Sequence, residues 1–174
     1  MSIREGNLLK LAANLDWLFT ELPMAQRFHA AHEAGFQGVE GLFFWQHALD
    51  SLSALQQATA LPVVLMNAPA GDWQGGERGL ASLPRREEEF IQSLHIARQY
   101  ALALGCQQVH VMAGNRSPWI SYDQQFDLLI ARLQQACDFL ADADITVLVE
   151  PLNPQDMLGY FINSFPLASD IIQR

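Results

Sequence analysis

The stretch "ITVLVEPLN", residues 145–153, runs through five apolar or β-branched residues straight into Glu150, with a proline directly behind it. A short run of this kind reads as a strand buried on both faces of a parallel sheet. A carboxylate at the end of such a strand is costly unless a metal ion or a hydrogen-bond partner meets it. One stretch therefore raises the fold and the site together. Four other runs share its character: "LLKLAANL" (8–15), "FQGVEGLFF" (36–44), "LPVVLMNAP" (61–69) and "CQQVHVMAG" (106–114).

Helical patterns fill the intervals. Residues 23–34 follow Pro23 and stop at Gly35, a C-terminal signal. Segment 50–59 has Asp50 as its candidate cap. Segment 83–104 has Ser82 as candidate cap, Pro84 in the first turn, and Glu87, Glu88 and Glu89 near the positive end of the dipole. Its apolar stripe is Phe90, Leu94, Ala97, Ala101 and Leu104. Segment 122–141 opens on a Ser121–Gln124 capping-box pattern and carries Phe126, Leu129, Ile130, Leu133, Ala136, Cys137 and Leu140 on one face. A last helix follows Ser164. The order is βα five times over, which predicts a parallel sheet with right-handed crossovers, doubly wound or closed as a barrel. The units recur about every 34 residues, so eight would take roughly 270, near the ~250 of a (βα)₈ barrel. The chain has length for five, and a single partial barrel domain over 1–174 is expected.

Composition bounds the function. Half of the 174 residues are hydrophobic, 17% are charged, and the net charge is −9. An acidic chain lacks the basic footprint that nucleic acid or anionic lipid needs. Cys106 and Cys137 stand too far apart for a CxxC pair, and read as small apolar fillers. Residues 1–10 show no leader pattern and no run is long enough to span a membrane, so a soluble cytoplasmic protein is the default expectation.

In parallel α/β folds chemistry collects at the C-terminal ends of strands. Here those positions hold Asn14, Glu40, Asn67, His110, Asn115, Glu150 and Asn153. Glu40 faces the site or forms a salt bridge within the fold. His110 is either a core histidine or a site residue. His29 and His32, three apart on a helix, read as surface. The long loop "NAPAGDWQGGERGLASLP" (67–84) is not a P-loop, since it has no GK[ST]. Loops of this length cover substrates or are structural excursions. Trp73 caps a pocket or anchors the loop, and Arg78 holds a substrate carboxylate or pairs with Glu77.

"LAANLDWLFTELP" (11–23), "GFQGVE" (35–40), "NAPAGDWQGGERGLASLPRREEEF" (67–90), "YALALGCQQVHVMAG" (100–114) and "VLVEPLN" (147–153) together resemble landmarks of the hydroxypyruvate isomerase family. That family includes 2-oxotetronate isomerases and belongs to the xylose-isomerase-like (βα)₈ barrels. The resemblance implies interconversion of a small hydroxy-ketone acid and a hydroxy-aldehyde acid, assisted by a divalent cation, Mg²⁺ or Mn²⁺. It makes Glu150 the first of two glutamates acting at the metal and in proton transfer. Asn67, Trp73, Arg78, His110 and Asn153 become substrate-contact candidates. The family's other metal ligands come from later strands, and none can be assigned here.

Two rival readings remain open at this stage. One is a sugar epimerase of the same superfamily; the other is a non-catalytic truncated product that oligomerises. An isolated five-unit piece is expected to be inactive alone and to self-associate through its open sheet edges.

Overall fold

The computed structural model describes residues 9–174. Its five strands are β1 (Ala12–Asn14), β2 (Gly38–Gly41), β3 (Val63–Asn67), β4 (Gln108–His110) and β5 (Thr146–Leu148). They lie side by side in chain order, and every neighbouring pair is parallel. The helices are α1 (Met24–Glu33), α2 (Leu49–Thr59), α3 (Glu87–Leu104), α4 (Tyr122–Ala141) and α5 (Phe165–Ile172). This is the five-unit βα arrangement that the alternating pattern predicts. The leader reading of residues 1–10, and the start of the first apolar run at residue 8, lie outside the described residues, apart from Leu9 and Lys10.

The strands are shorter than the apolar runs. β5 ends at Leu148, two residues before Glu150. The ladder continues past the ends by single bonds, from Leu15 N to Glu40 O, Ala68 N to His110 O and Val111 N to Leu148 O. A shift in register between β2 and β3 sets Val39 opposite Val63 but Glu40 opposite Leu65. The extra β3 residue at that point sets Asn67 one register position further back from the C-terminal rim than an unbroken ladder would.

Side chains alternate across the sheet. Ala13, Val39, Val63, Met66 and Val109 are buried and share one hydrophobic core with Phe28, Leu52, Leu94, Ala97, Leu129, Ala136 and Leu140 of the helices. The opposite face is less covered: Ala12 is exposed, and Val64, Leu65 and Leu148 are half-buried. Burial on both faces therefore holds for part of the sheet only.

The capping box of α4 forms as read, with Gln124 N donating to Ser121 Oγ and Ser121 N to Gln124 Oε1. Gly35 ends α1 at φ +83, where Phe36 N reaches back to Ala31 O. Two caps differ. The N-cap of α2 is Ala48, leaving Asp50 in the first turn, where it faces the positive dipole end. α3 starts at Glu87, not near 83. Ser82 is fully buried and its hydroxyl accepts from Gln125 Nε2 at 2.8 Å. Arg132, 5% exposed, donates to Leu80 O and Leu83 O, both at 2.7 Å. These long-range bonds hold residues 80–83 in a non-helical path, which local cap chemistry cannot foresee. Cys106 is buried as a filler should be, but Cys137 is exposed.

Candidate functional site

A cavity of about 240 Å³ opens at the C-terminal ends of the strands. Its polar lining comes from every strand in turn: Asn14 of β1, Glu40 of β2, Asn67 of β3, His110 of β4, and Glu150 just beyond β5. Asn14 pairs with Glu40, and Asn67 with His110, across the ladder. Glu150 stands two residues past Leu148, the partner of His110. The five side chains thus climb the sheet as a staircase. Leu42, Leu65, Trp73, Met112, Leu152 and Met157 form the apolar walls.

The β1–β2 end is firmly built. Asn14 Nδ2 donates to Glu40 Oε1 at 2.9 Å, while Asn14 Oδ1 accepts from Asp16 N at 3.0 Å. The two bonds fix which way the amide faces. Asp16 in turn accepts from the backbone N–H groups of Leu42 and Phe43, tying the loop after β1 to the end of β2. Arg27 donates to the carbonyls of Leu15, Thr20 and Leu22. Glu40 therefore faces the site, and its partner is an amide, not a cation.

The other end is looser. Glu150 has a side chain 60% exposed, and its Oε2 lies 3.6 Å from His110 Nδ1, beyond hydrogen-bond length. Desolvation raises its pKa, and the Glu40 charge adds to the rise. His110 is 3% exposed, and burial pushes it down to about 4, so the imidazole is neutral near pH 7. A carboxylate only accepts, so the contact favours the tautomer with the proton on Nδ1. Nε2 is then an acceptor, buried and without a partner among the described residues.

The segment after β5 folds back over the rim. Leu152 N bonds Ile162 O, Phe161 N bonds Gly114 O, and the buried Tyr160 hydroxyl accepts from Ala113 N at 3.0 Å. Burial raises the Tyr160 pKa, so the hydroxyl stays protonated. These bonds set Leu152 and Met157 on the cavity wall.

The long β3–α3 loop is bolted down. Asp72 accepts from Gly75 N at 2.8 Å, Glu77 accepts from Asp72 N at 2.6 Å, and Asn115 Nδ2 reaches Gly76 O at 2.9 Å. Gly79, at φ +121, packs so close to the Met112 carbonyl that any side chain would collide with it. Trp73 lines the cavity and also packs edge-on against Phe43 with ring centres 5.1 Å apart. It is both wall and anchor.

Two candidates stand elsewhere. Arg78 does not line the cavity; its guanidinium lies 4.0 Å over the Trp73 ring and donates to the carbonyls of Trp73 and Glu77. The Glu77 carboxylate pairs with Arg86 instead. Asn153 is exposed and accepts from Gln155 N and Asp156 N, which makes it a turn residue. His29 and His32 are exposed on α1, as expected. Sequence reading missed Asp16, Leu152, Met157 and Tyr160. Only Asp16, two residues past a strand-end asparagine, carried a local signal.

Among the described residues, no three His, Cys, Asp or Glu side chains converge closely enough to hold a metal ion. Glu150 and Glu40 offer hard oxygen donors of the kind Mg²⁺ and Mn²⁺ accept, and among the described residues no Lys or Arg lines the cavity to oppose a cation. Such donors could take part in holding a divalent ion. No helix among the described residues is long and apolar enough to cross a membrane.

Comparison with known proteins agrees with this geometry. The chain is 36% identical over 165 residues to the hydroxypyruvate isomerase of Escherichia coli, covering 95% of this chain and 64% of that protein. It is 40% identical over 154 residues to the 2-oxo-tetronate isomerase of Cupriavidus necator, covering 88% and 59%. A crystal structure from Brucella melitensis, titled AP endonuclease, family 2, superposes with a TM-score of 0.92 at 41% identity, covering 96% of this chain and 64% of that one. The chain spans about three-fifths of the length of the curated relatives it matches. The model of the xylose isomerase-like TIM barrels matches residues 28–174, and the chain belongs to that family.

Proposed function

We propose that the chain forms the β1–β5 side of an isomerase site for a small hydroxy-oxo acid of the hydroxypyruvate or 2-oxotetronate class. The observation that supports this most is the pair of carboxylates, Glu150 and Glu40, facing one cavity beside a neutral His110. Moving a proton between adjacent carbons needs an acid/base group next to both. Glu150 is that group, standing at the cavity rim 3.6 Å from His110. His110 lines the cavity as a neutral imidazole, Asn67 offers an amide beside it, and Trp73, Leu152 and Met157 keep water off the reacting carbons. A divalent cation, Mg²⁺ or Mn²⁺, held by Glu150 together with ligands from further strands, would supply positive charge to the oxygen that becomes anionic.

The name of the Brucella melitensis structure raises a second reading, action on nucleic acid. A net charge of −9 and the absence of any Lys or Arg from the cavity lining count against it.

Isomerisation of hydroxypyruvate and 2-oxotetronate with Mg²⁺ or Mn²⁺, followed by proton NMR, tests the proposal. The 174-residue polypeptide alone should show no appreciable turnover, because one ligand leaves the ion mostly hydrated. Turnover should appear when the remaining two-fifths of the Escherichia coli relative is added as a second polypeptide. Continued inactivity of the folded pair would sink the reading. Metal-dependent turnover by the 174 residues alone would mean that Glu40 or a second copy completes the site.

Self-association belongs to the same proposal. β1 and β5 are open edges among the described residues, and Ile130, Leu133, Val147, Val149, Ile171 and Ile172 line an apolar groove beside β5. A compact monomer in sedimentation across micromolar concentrations would remove this part.

A further inference from the structure

We infer that Glu40 is a specificity-determining residue that binds the terminal hydroxyl of a four-carbon substrate, so that the site favours the 2-oxotetronate class over hydroxypyruvate. The inference rests on the assignment of proton transfer to Glu150.

The chemistry follows from what Glu40 can and cannot do. Its Oε1 is held by Asn14 Nδ2, whose orientation is fixed by Asp16 N. Among the described residues its other oxygen has no hydrogen-bond donor and no Lys or Arg lines the cavity. An ionised carboxylate is acceptor-only. It therefore selects a ligand group that donates, and on a hydroxy-oxo acid only hydroxyls donate.

Position decides which hydroxyl. The reacting pair, a hydroxyl and an oxo group on adjacent carbons, must sit at Glu150, where the proton moves. Glu40 belongs to β2 and Glu150 follows β5, with β3 and β4 between them. The partner of Glu40 is accordingly a hydroxyl outside the reacting pair. Hydroxypyruvate has none. A 2-oxotetronate carries one on its terminal carbon. The charge of Glu40 also opposes the reversed pose, in which the substrate carboxylate would point at it. The clamp by Asn14 fixes the carboxylate before the ligand arrives, so little ordering is lost on binding.

The test uses the 174-residue chain and two non-reacting acids of equal length, with magnesium present. One is a tetronate (2,3,4-trihydroxybutanoate); the other is its 4-deoxy form of the same configuration. They differ only in the terminal hydroxyl. Affinities come from titrations monitored by ¹H–¹⁵N NMR, which also reads the Asn14 side-chain amide directly. The tetronate should bind about tenfold tighter, the lower end of what a charge-assisted hydrogen bond contributes at a half-open site. It alone should shift the Asn14 amide signals. Glu40→Ala should erase the preference, so that the two acids bind equally. Glu40→Gln, which keeps the shape, should retain part of it.

Equal binding of the two acids to the wild-type chain would overturn the inference and leave the isomerase reading standing. So would a preference that survives Glu40→Ala. If neither acid binds while the backbone spectrum stays that of a folded chain, the inference falls, and turnover by the complemented pair decides the isomerase reading separately.

Discussion

Glu40 and Glu150 face the same cavity and are held in opposite ways. Glu40 is fixed by Asn14, which is fixed by Asp16, which in turn ties down two backbone amides. Glu150 has only a 3.6 Å approach to His110 and is mostly exposed. A carboxylate held before the ligand arrives suits recognition, where ordering on binding costs affinity. A carboxylate left free suits a role in which its partner, an ion or a substrate proton, comes from outside. The contrast extends to the walls: the β3–α3 loop is bound to its surroundings by side chains, whereas the turn after β5 is mostly exposed.

The largest effect should come at the loose end. In the complemented enzyme, Glu150→Gln should lower kcat by a factor of ~10²–10⁴, the usual contribution of a positioned acid/base. Denaturant stability should stay within about 1 kcal/mol of wild type, because so exposed a side chain holds little of the fold. A stability loss that matched the activity loss would erase the contrast between the two carboxylates.

The firm side should answer in stability instead. Arg132→Ala removes the donor to Leu80 O and Leu83 O and the cation over the Phe90 ring. Two carbonyls are then left without their partner beneath the loop, at a cost of about 3 kcal/mol in urea denaturation. Trp73 fluorescence should broaden in the same variant as its loop loosens. A loss under about 1 kcal/mol would mean that water replaces the guanidinium without penalty.

How much of this could be read beforehand differs by region for a physical reason. The order of strands, the α3 and α4 stripes and the Ser121 cap follow from periodicity and local hydrogen bonding, which a linear sequence carries. The start of α3 does not. Ser82 and Pro84 look like a helix opening, but Gln125 and Arg132, more than forty residues away, hold that segment out of the helix. Strand ends bring Asn14, Glu40, Asn67, His110 and Glu150 to one cavity because a parallel sheet aligns those ends on one rim. Arg78 and Asn153 defeat the same reasoning. Both lie in loops, where the side chain turns to whichever backbone groups are near.

Acid should weaken the β3–α3 loop. Hydrogen bonding to Arg86 holds the Glu77 pKa below its usual 4.5, with burial opposing the shift. A lowered folded-state pKa means stability that is complete above the unfolded value and lost as pH falls through the folded one. As pH falls below about 4.5, wild type should therefore lose more stability than Glu77→Gln, which has no such proton to take up. Parallel pH profiles of the two proteins would show that the pair contributes nothing.

The smallest effect belongs to a strand-end residue that the structure turns away from the cavity. Asn153 sits in the family-like "VLVEPLN" stretch, three residues past Glu150, and sequence alone made it a substrate contact. Its Oδ1 accepts from Gln155 N at 3.0 Å and Asp156 N at 2.9 Å, and its Nδ2 donates to Asp156 Oδ2 at 2.9 Å. Both polar atoms of the side chain are engaged within its own turn. Asn153→Ala should thus cost about 0.5 kcal/mol or less, the scale of an exposed turn contact. Asn153→Asp keeps the acceptor for both amides but sets a second carboxylate against Asp156, so it should do no better. Neither change should alter tetronate affinity. A tenfold loss of that affinity in Asn153→Ala, with the fold intact, would mean that the turn opens when ligand binds and that this rim is no less committed to recognition than Glu40.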